Sequence, residues 1–139
     1  MMRIFLMVVL GALIGCHHRD FNPDLAQPRY PYDLHTTETF QIEVFRDGTE
    51  ITVVNATAQG WNEPRIWINQ QYSRVIPQLA AGQTVTLSLK QFRDDIGETY
   101  PAGGFLSARR SMPVRLVELQ PDPESPLYGM IAIKQLTGQ

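Results

Sequence analysis

Cysteine and lysine are nearly missing from this chain. Of its 139 residues one is a cysteine, Cys16, and only Lys90 and Lys134 are lysines. A single cysteine excludes an internal disulfide, so the chain must fold without that staple. Histidine is almost as scarce: His17, His18 and His35 all lie near the N-terminus, and no serine stands in a Gly-x-Ser-x-Gly setting. A nucleophile needs a neighbouring base and a group to orient it. A Ser–Lys pair is the one remaining route, and both lysines lie in or beside strand-like runs with solvent-facing readings. Hydrolytic chemistry is therefore poorly provided for, and the expectation is a protein that is not an enzyme and carries no cofactor. Positive charge is also sparse, with formal net charge −2 and no basic cluster beyond Arg109 and Arg110. That balance argues against nucleic acid as a partner. No internal repeat is visible. The longest apolar run, residues 4–14, falls short of the roughly 20 residues that a membrane-spanning helix needs.

What is present begins at that run. Arg3 supplies a basic start, residues 4–14 an uncharged apolar core, and Gly15 a small residue at its end. This order describes a secretory signal peptide. Leu13-Ile14-Gly15-Cys16 resembles the lipobox of bacterial lipoproteins, in which an aliphatic residue, a small or aliphatic one and Gly or Ala precede Cys. The resemblance implies that a diacylglycerol alkylates the Cys16 thiol and that cleavage falls between Gly15 and Cys16. Cys16 would then be the acylated first residue of the mature chain. Two or more acyl chains hold a protein stably at a bilayer, where one holds it marginally. A thiol consumed in a thioether neither binds a metal nor attacks a substrate. His17 and His18 are accordingly expected as solvated neighbours of the anchor rather than as a soft-metal site. The residue after the cysteine is His17 and not the Asp that commonly signals inner-membrane retention in Gram-negative lipoproteins. The resemblance thus implies the outer membrane, facing the periplasm.

The chain divides into residues 1–15 as signal peptide, 16–36 as the lipidated cysteine with a proline-containing tether, and 37–139 as one domain. Pro23, Pro28 and Pro31 interrupt the second segment, and that density favours extended chain over helix. Tyr30-Pro31-Tyr32 carries a second reading, in which it docks on the domain or on a partner. The domain reads as strands. Asp47-Gly48 lies between two alternating runs, a hairpin pattern, with Phe40, Ile42 and Val44 on one face and Ile51 and Val53 on the next. Further strands are expected over 65–69, 72–76, 85–89, 114–119 and from about 128 onward. A short helix over 89–96 is the best helical candidate, with Leu89, Phe92 and Ile96 spaced for one face and Gly97 to end it. About seven short strands in roughly 100 residues predict an all-β fold, an antiparallel β-sandwich. The stretch "GWNEPRIWINQQYSRVIPQLAAGQTVTLSL" resembles immunoglobulin- or fibronectin-III-like modules, where a Trp-bearing strand is followed by a Leu-x-x-Gly turn and an alternating strand. It lacks the cysteine pair of immunoglobulin domains.

Two groups of residues are candidates for binding. On the strand at 65–69, Arg65, Trp67 and Asn69 share the face opposite Ile66 and Ile68. With Tyr72 they form a candidate aromatic face for glycan or protein, provided the isoleucines point inward and nothing covers the other side. Asp94, Asp95 and Glu98 surround Gly97 and could offer oxygens to Ca²⁺, although their spacing does not match an EF-hand loop and the first reading of these residues is a solvated turn balanced by Arg93. The expected role is a non-catalytic, lipid-anchored envelope protein acting as a binding or assembly module with a protein partner. A glycan- or Ca²⁺-binding surface module is the alternative.

Overall fold

The computed structural model describes residues 21–134, so the signal peptide, Cys16, His17 and His18 lie outside the described residues. Among those described, regular structure consists of nine strands and three single turns of 3₁₀ helix. The fold is all-β. The strands are β1 (His35–Asp47), β2 (Glu50–Asn55), β3 (Trp61–Asn62), β4 (Arg65–Ile68), β5 (Tyr72–Val75), β6 (Gln78–Leu79), β7 (Thr84–Ser88), β8 (Val117–Gln120) and β9 (Leu127–Ile133). Seven of them form one sheet in the order β5-β4-β8-β9-β1-β2-β7, and β3 pairs with β6 in a small second sheet.

Alternation builds these strands as read. Ile42 and Val44 of β1 are buried, as are Ile51 and Val53 of β2, with Val44 opposite Val53 across the hairpin. Gly48 opens the connecting turn at φ +57°, a left-handed conformation that glycine adopts without strain. The sheet is mixed, however, and not antiparallel throughout, because β1 and β9 run parallel. Hairpins force neighbours in sequence to be antiparallel, whereas a parallel pair needs a long crossover. The first and last strands meet only after the whole intervening chain has been laid down, and no local pattern announces that pairing. The expected helix over 89–96 is replaced by one 3₁₀ turn, Leu89–Gln91, which ends at Phe92 in extended backbone. Leu89 and Phe92 are both fully buried there, so the apolar spacing reflects a chain dipping into the core.

The large sheet curls. Arg93, five residues beyond β7, exchanges backbone hydrogen bonds with Ser73 on β5, at the opposite edge of the sheet (2.8 and 3.2 Å). The concave side encloses the main core, including Ile42, Ile66, Ile68, Tyr72, Phe92 and Leu119. Each such side chain contributes roughly 1.5–3 kcal/mol on full burial.

The segment from Phe21 to Leu34, expected as part of a tether, packs against the domain as a strap. Asn22 N–H donates to the Gly97 carbonyl (3.0 Å) and Gln27 N–H to that of Asp94 (2.9 Å). Tyr30 is buried with Trp67, Leu127 and the partly buried Leu34 in a second cluster. The prolines do keep this segment out of the ladders; the aromatic Tyr30 nevertheless finds apolar surface to cover.

Candidate functional site

The strap is fastened to β8 by a buried polar cluster. Glu118 is 1 % exposed. Its carboxylate accepts from the Tyr30 hydroxyl at 2.8 and 3.0 Å and from His35 Nδ1 at 2.7 Å. A buried carboxylate needs such donors, since unpaired it would be strongly destabilising. Burial, then the hydrogen bond to Glu118, pushes the Tyr30 phenol far above its usual value. Tyr30 therefore keeps its proton and acts as a donor, not as a base or nucleophile. Both oxygens of Glu118 are occupied by these bonds. Tyr30, His35 and Glu118 thus form a clasp between strap and sheet. Two residues along β8, Gln120 accepts from Trp67 Nε1 (2.9 Å) and donates to the Pro123 and Ser125 carbonyls.

Of the candidate aromatic face, the structure keeps only Trp67 and Arg65 together, and it covers Trp67. Ile66 and Ile68 join the main core, and Trp67 points the other way. The Tyr30 ring packs edge-on against it at 5.2 Å, leaving Trp67 1 % exposed and without an open stacking surface. Arg65 lies near the indole ring (5.8 Å) and donates to Gln27 Oε1 (2.6 Å) and Ser73 Oγ (2.9 Å). Burial lowers its pKa from the ordinary value. Tyr72 is in the main core, edge-on to Tyr100. Asn69 sits in the β4–β5 turn at φ +54°. Its Oδ1 accepts from the Arg115 and Leu116 N–H groups (2.9 and 3.2 Å), and its Nδ2 donates to the Pro113 carbonyl (2.8 Å). Asn69 is thereby a clamp on the 113–116 segment, not part of a shared face with Tyr72.

The acidic turn is likewise engaged internally. Asp94 is buried and its Oδ1 accepts from the N–H groups of Ile96 (3.1 Å) and Glu98 (2.7 Å). Asp95 pairs with Arg29 of the strap at 3.2 Å, and Glu98 with Arg109 at 2.9 Å. The three carboxylates are thus drawn toward three different partners, and they do not converge on one point among the described residues.

One concave feature went unread in the sequence. A groove of about 680 Å³ runs along the C-terminal half of β9, lined by Val44, Arg46, Val114, Ile133 and Lys134 among others. β8 pairs with β9 only at Glu118–Gly129 and Leu119–Tyr128. Beyond those residues β9 pairs with β1 alone among the described residues, and Ser111, Pro113 and Val114, from a stretch that belongs to no strand, line the same groove as Ala132 and Ile133. Arg46 holds that stretch, donating to the Met112 and Ala102 carbonyls and to Ser111 Oγ. The groove walls are the apolar Val44, Val114 and Ile133, and charge sits toward its ends at Arg46, Asp47 and Lys134. Such a place suits an extended segment that would continue the ladder beside β9 and seat alternate side chains in the groove.

Sequence reasoning missed this groove, and the clasp with it. One signal for the clasp was there: Glu118 stands among the apolar Leu116, Val117 and Leu119, which is where a buried polar network would sit. Scanned against protein-family models, curated protein sequences and solved structures, the chain matches none of them.

Proposed function

We propose that this chain is a lipid-anchored envelope protein that acts by binding, as an assembly or accessory module, and not by catalysis. The observation that carries the binding reading is the groove beside the half-paired β9, with apolar walls and a sheet edge free of a strand partner among the described residues. An extended segment of an envelope protein is the occupant that geometry favours, since backbone hydrogen bonds to β9 supply affinity and the partly exposed Val114 and Ile133 supply apolar contact. Anchorage rests on the lipobox-like Leu13-Ile14-Gly15-Cys16 alone, with acylated Cys16 at the outer membrane and the domain facing the periplasm. The proposal includes the immunoglobulin- or fibronectin-like reading of β4 and of the Leu79-Ala80-Ala81-Gly82 turn before β7. The parallel β1–β9 pair is a departure from that pattern.

The test places a photo-crosslinking amino acid at Val114 or Ile133 in cells expressing the full chain. One stoichiometric protein adduct is expected, and it should disappear when the crosslinker is moved to the exposed Thr84. Adducts no more frequent than at Thr84 would refute the groove as the binding site, and recovery on purified peptidoglycan instead would favour the glycan alternative. Acyl labelling of the wild-type chain, lost in Cys16→Ser, checks the anchor separately.

A further inference from the structure

Phe105 and Leu106 are 101 % and 92 % exposed, the extreme among the large apolar residues described. They are not on a ragged coil. Ser107 N–H donates to the Gly104 carbonyl (3.1 Å), which closes a turn with Phe105 and Leu106 at its two central positions. Gly103 and Gly104 enter that turn at φ +76° and +115°, conformations that favour glycine. The loop's base is tied down by Arg109 on Glu98 (2.9 Å), and a cleft of about 220 Å³ beneath it is lined by Lys90, Thr99, Leu106 and Arg109. A fixed turn thus holds two bulky apolar side chains in water, which costs hydrophobic free energy unless something covers them.

The position of the strap says what covers them. Phe21, the first described residue, bridges Glu98, and Glu98 is the residue that holds Arg109 of the loop. The start of the strap and the base of the apolar turn therefore meet at one place on the domain. Phe21 and Ile96 are also exposed there. Cys16 is five residues before Phe21, and five residues reach at most about 18 Å whatever their conformation, at roughly 3.3–3.6 Å each. Because the strap is packed from Phe21 onward, the long spacer expected between anchor and domain shrinks to this reach.

We infer that the Phe105–Leu106 turn is a second membrane contact, inserting into the interfacial layer of the bilayer that holds the Cys16 acyl chains and so setting the orientation of the domain. This rests on the lipid-anchor reading for its geometry. The ligand is a phospholipid surface: apolar tips enter the acyl boundary while the exposed Arg110 and Lys90 lie at headgroup level. Asp47 and Glu50 flank the Gly48-Thr49 turn whose Thr49 side chain approaches Gly104. They offset part of that positive charge, so the contact is mainly apolar and only weakly dependent on salt.

The experiment uses the full-length lipidated protein in vesicles of phosphatidylethanolamine and phosphatidylglycerol. With Cys16 acylated, Leu106→Cys provides the only free thiol, and it is labelled with an environment-sensitive fluorophore. Ala81→Cys is the control; it lies in the turn beyond the far end of the β2–β7 pair, whose registered span from Glu50 to Val54 is about 13 Å at roughly 3.3 Å per residue. Blue-shifted emission and quenching by bromine-bearing acyl chains are expected at position 106 and not at 81, with quenching roughly tenfold weaker when Phe105→Ser is added. Equal exposure at both positions, in protein whose Cys16 acylation is confirmed by mass, overturns the inference. So does a shift seen in native envelopes but not in pure lipid, which would assign the tip to a protein partner. Were Cys16 found unmodified, the anchor reading alone would fail. In that case quenching at 106 on added vesicles would still uphold the turn as a membrane element, and its absence would refute it.

Discussion

Replacing Tyr30 by Phe tests the clasp with one atom. The phenol O–H is shared between the two oxygens of Glu118, a carboxylate 1 % exposed, while the ring packs on Trp67 at 5.2 Å and Tyr32 at 4.8 Å. Tyr30→Phe keeps those ring contacts and leaves Glu118 with His35 as its side-chain donor. A hydrogen bond to a charged group is worth roughly 1.5–3 kcal/mol net. At about 4 °C per kcal/mol for a domain of this size, the melting temperature should fall by about 6–12 °C at neutral pH. Thermal unfolding followed by circular dichroism measures it, with Tyr32→Phe as the exposed control expected to change Tm little. A cycle with His35→Ala should show coupling above about 0.5 kcal/mol, since both residues share one carboxylate. A Tyr30→Phe protein melting within about 1 °C of wild type would refute the assignment of the clasp as what fastens the strap.

Three further outcomes follow from the same geometry. A Cβ at Gly97 would lie 1.9 Å from the Asn22 carbonyl oxygen, and the backbone there is at φ +87°. Gly97→Ala should therefore push the strap off, raising proteolytic cleavage near residues 22–29, and unchanged cleavage would count against tight docking. Asn69→Ala strands the Arg115 and Leu116 N–H groups and puts alanine at positive φ, so a loss of about 1–3 kcal/mol is expected, with faster amide exchange at 115 and 116 as the local readout. Burial raises Tyr30, Tyr72 and Tyr100 above their usual 10.0. For a raised pKa the folded chain holds protons that the unfolded chain releases, so this stability is complete below about pH 10 and declines as pH climbs beyond it. Denaturant midpoints measured from pH 8 to 11 should show the decline, less steeply in Tyr30→Phe; a midpoint rising over that range would contradict it.

The neighbourhood of Trp67 shows how far local pattern reaches. Alternation along 65–68 placed Ile66 and Ile68 on one face and Trp67 on the other, and the structure keeps that division. Whether the Trp67 face was open or covered depended on a segment more than thirty residues upstream, and no period within the strand encodes that. The acidic turn teaches the same point. Asp94, Asp95 and Glu98 are close in sequence, yet Asp95 is engaged by Arg29, 66 residues away, and Glu98 by Arg109 from the following loop.

By itself the sequence determined the all-β class, the β1–β2 hairpin with its turn glycine, and the inward faces of the central strands. These are set by side-chain alternation and turn chemistry over a few residues. It also carried the lipobox-like start, a local chemical motif that needs no fold to be read. Only the tertiary structure decided that β1 and β9 pair in parallel, that the proline-bearing segment straps down over Trp67, and that β9 is left half-paired on its β8 side among the described residues. Each of those depends on contacts between residues far apart in the chain. Such contacts are selected by which remaining surfaces and polar groups fit once the local elements have formed, so short-range pattern leaves them unspecified.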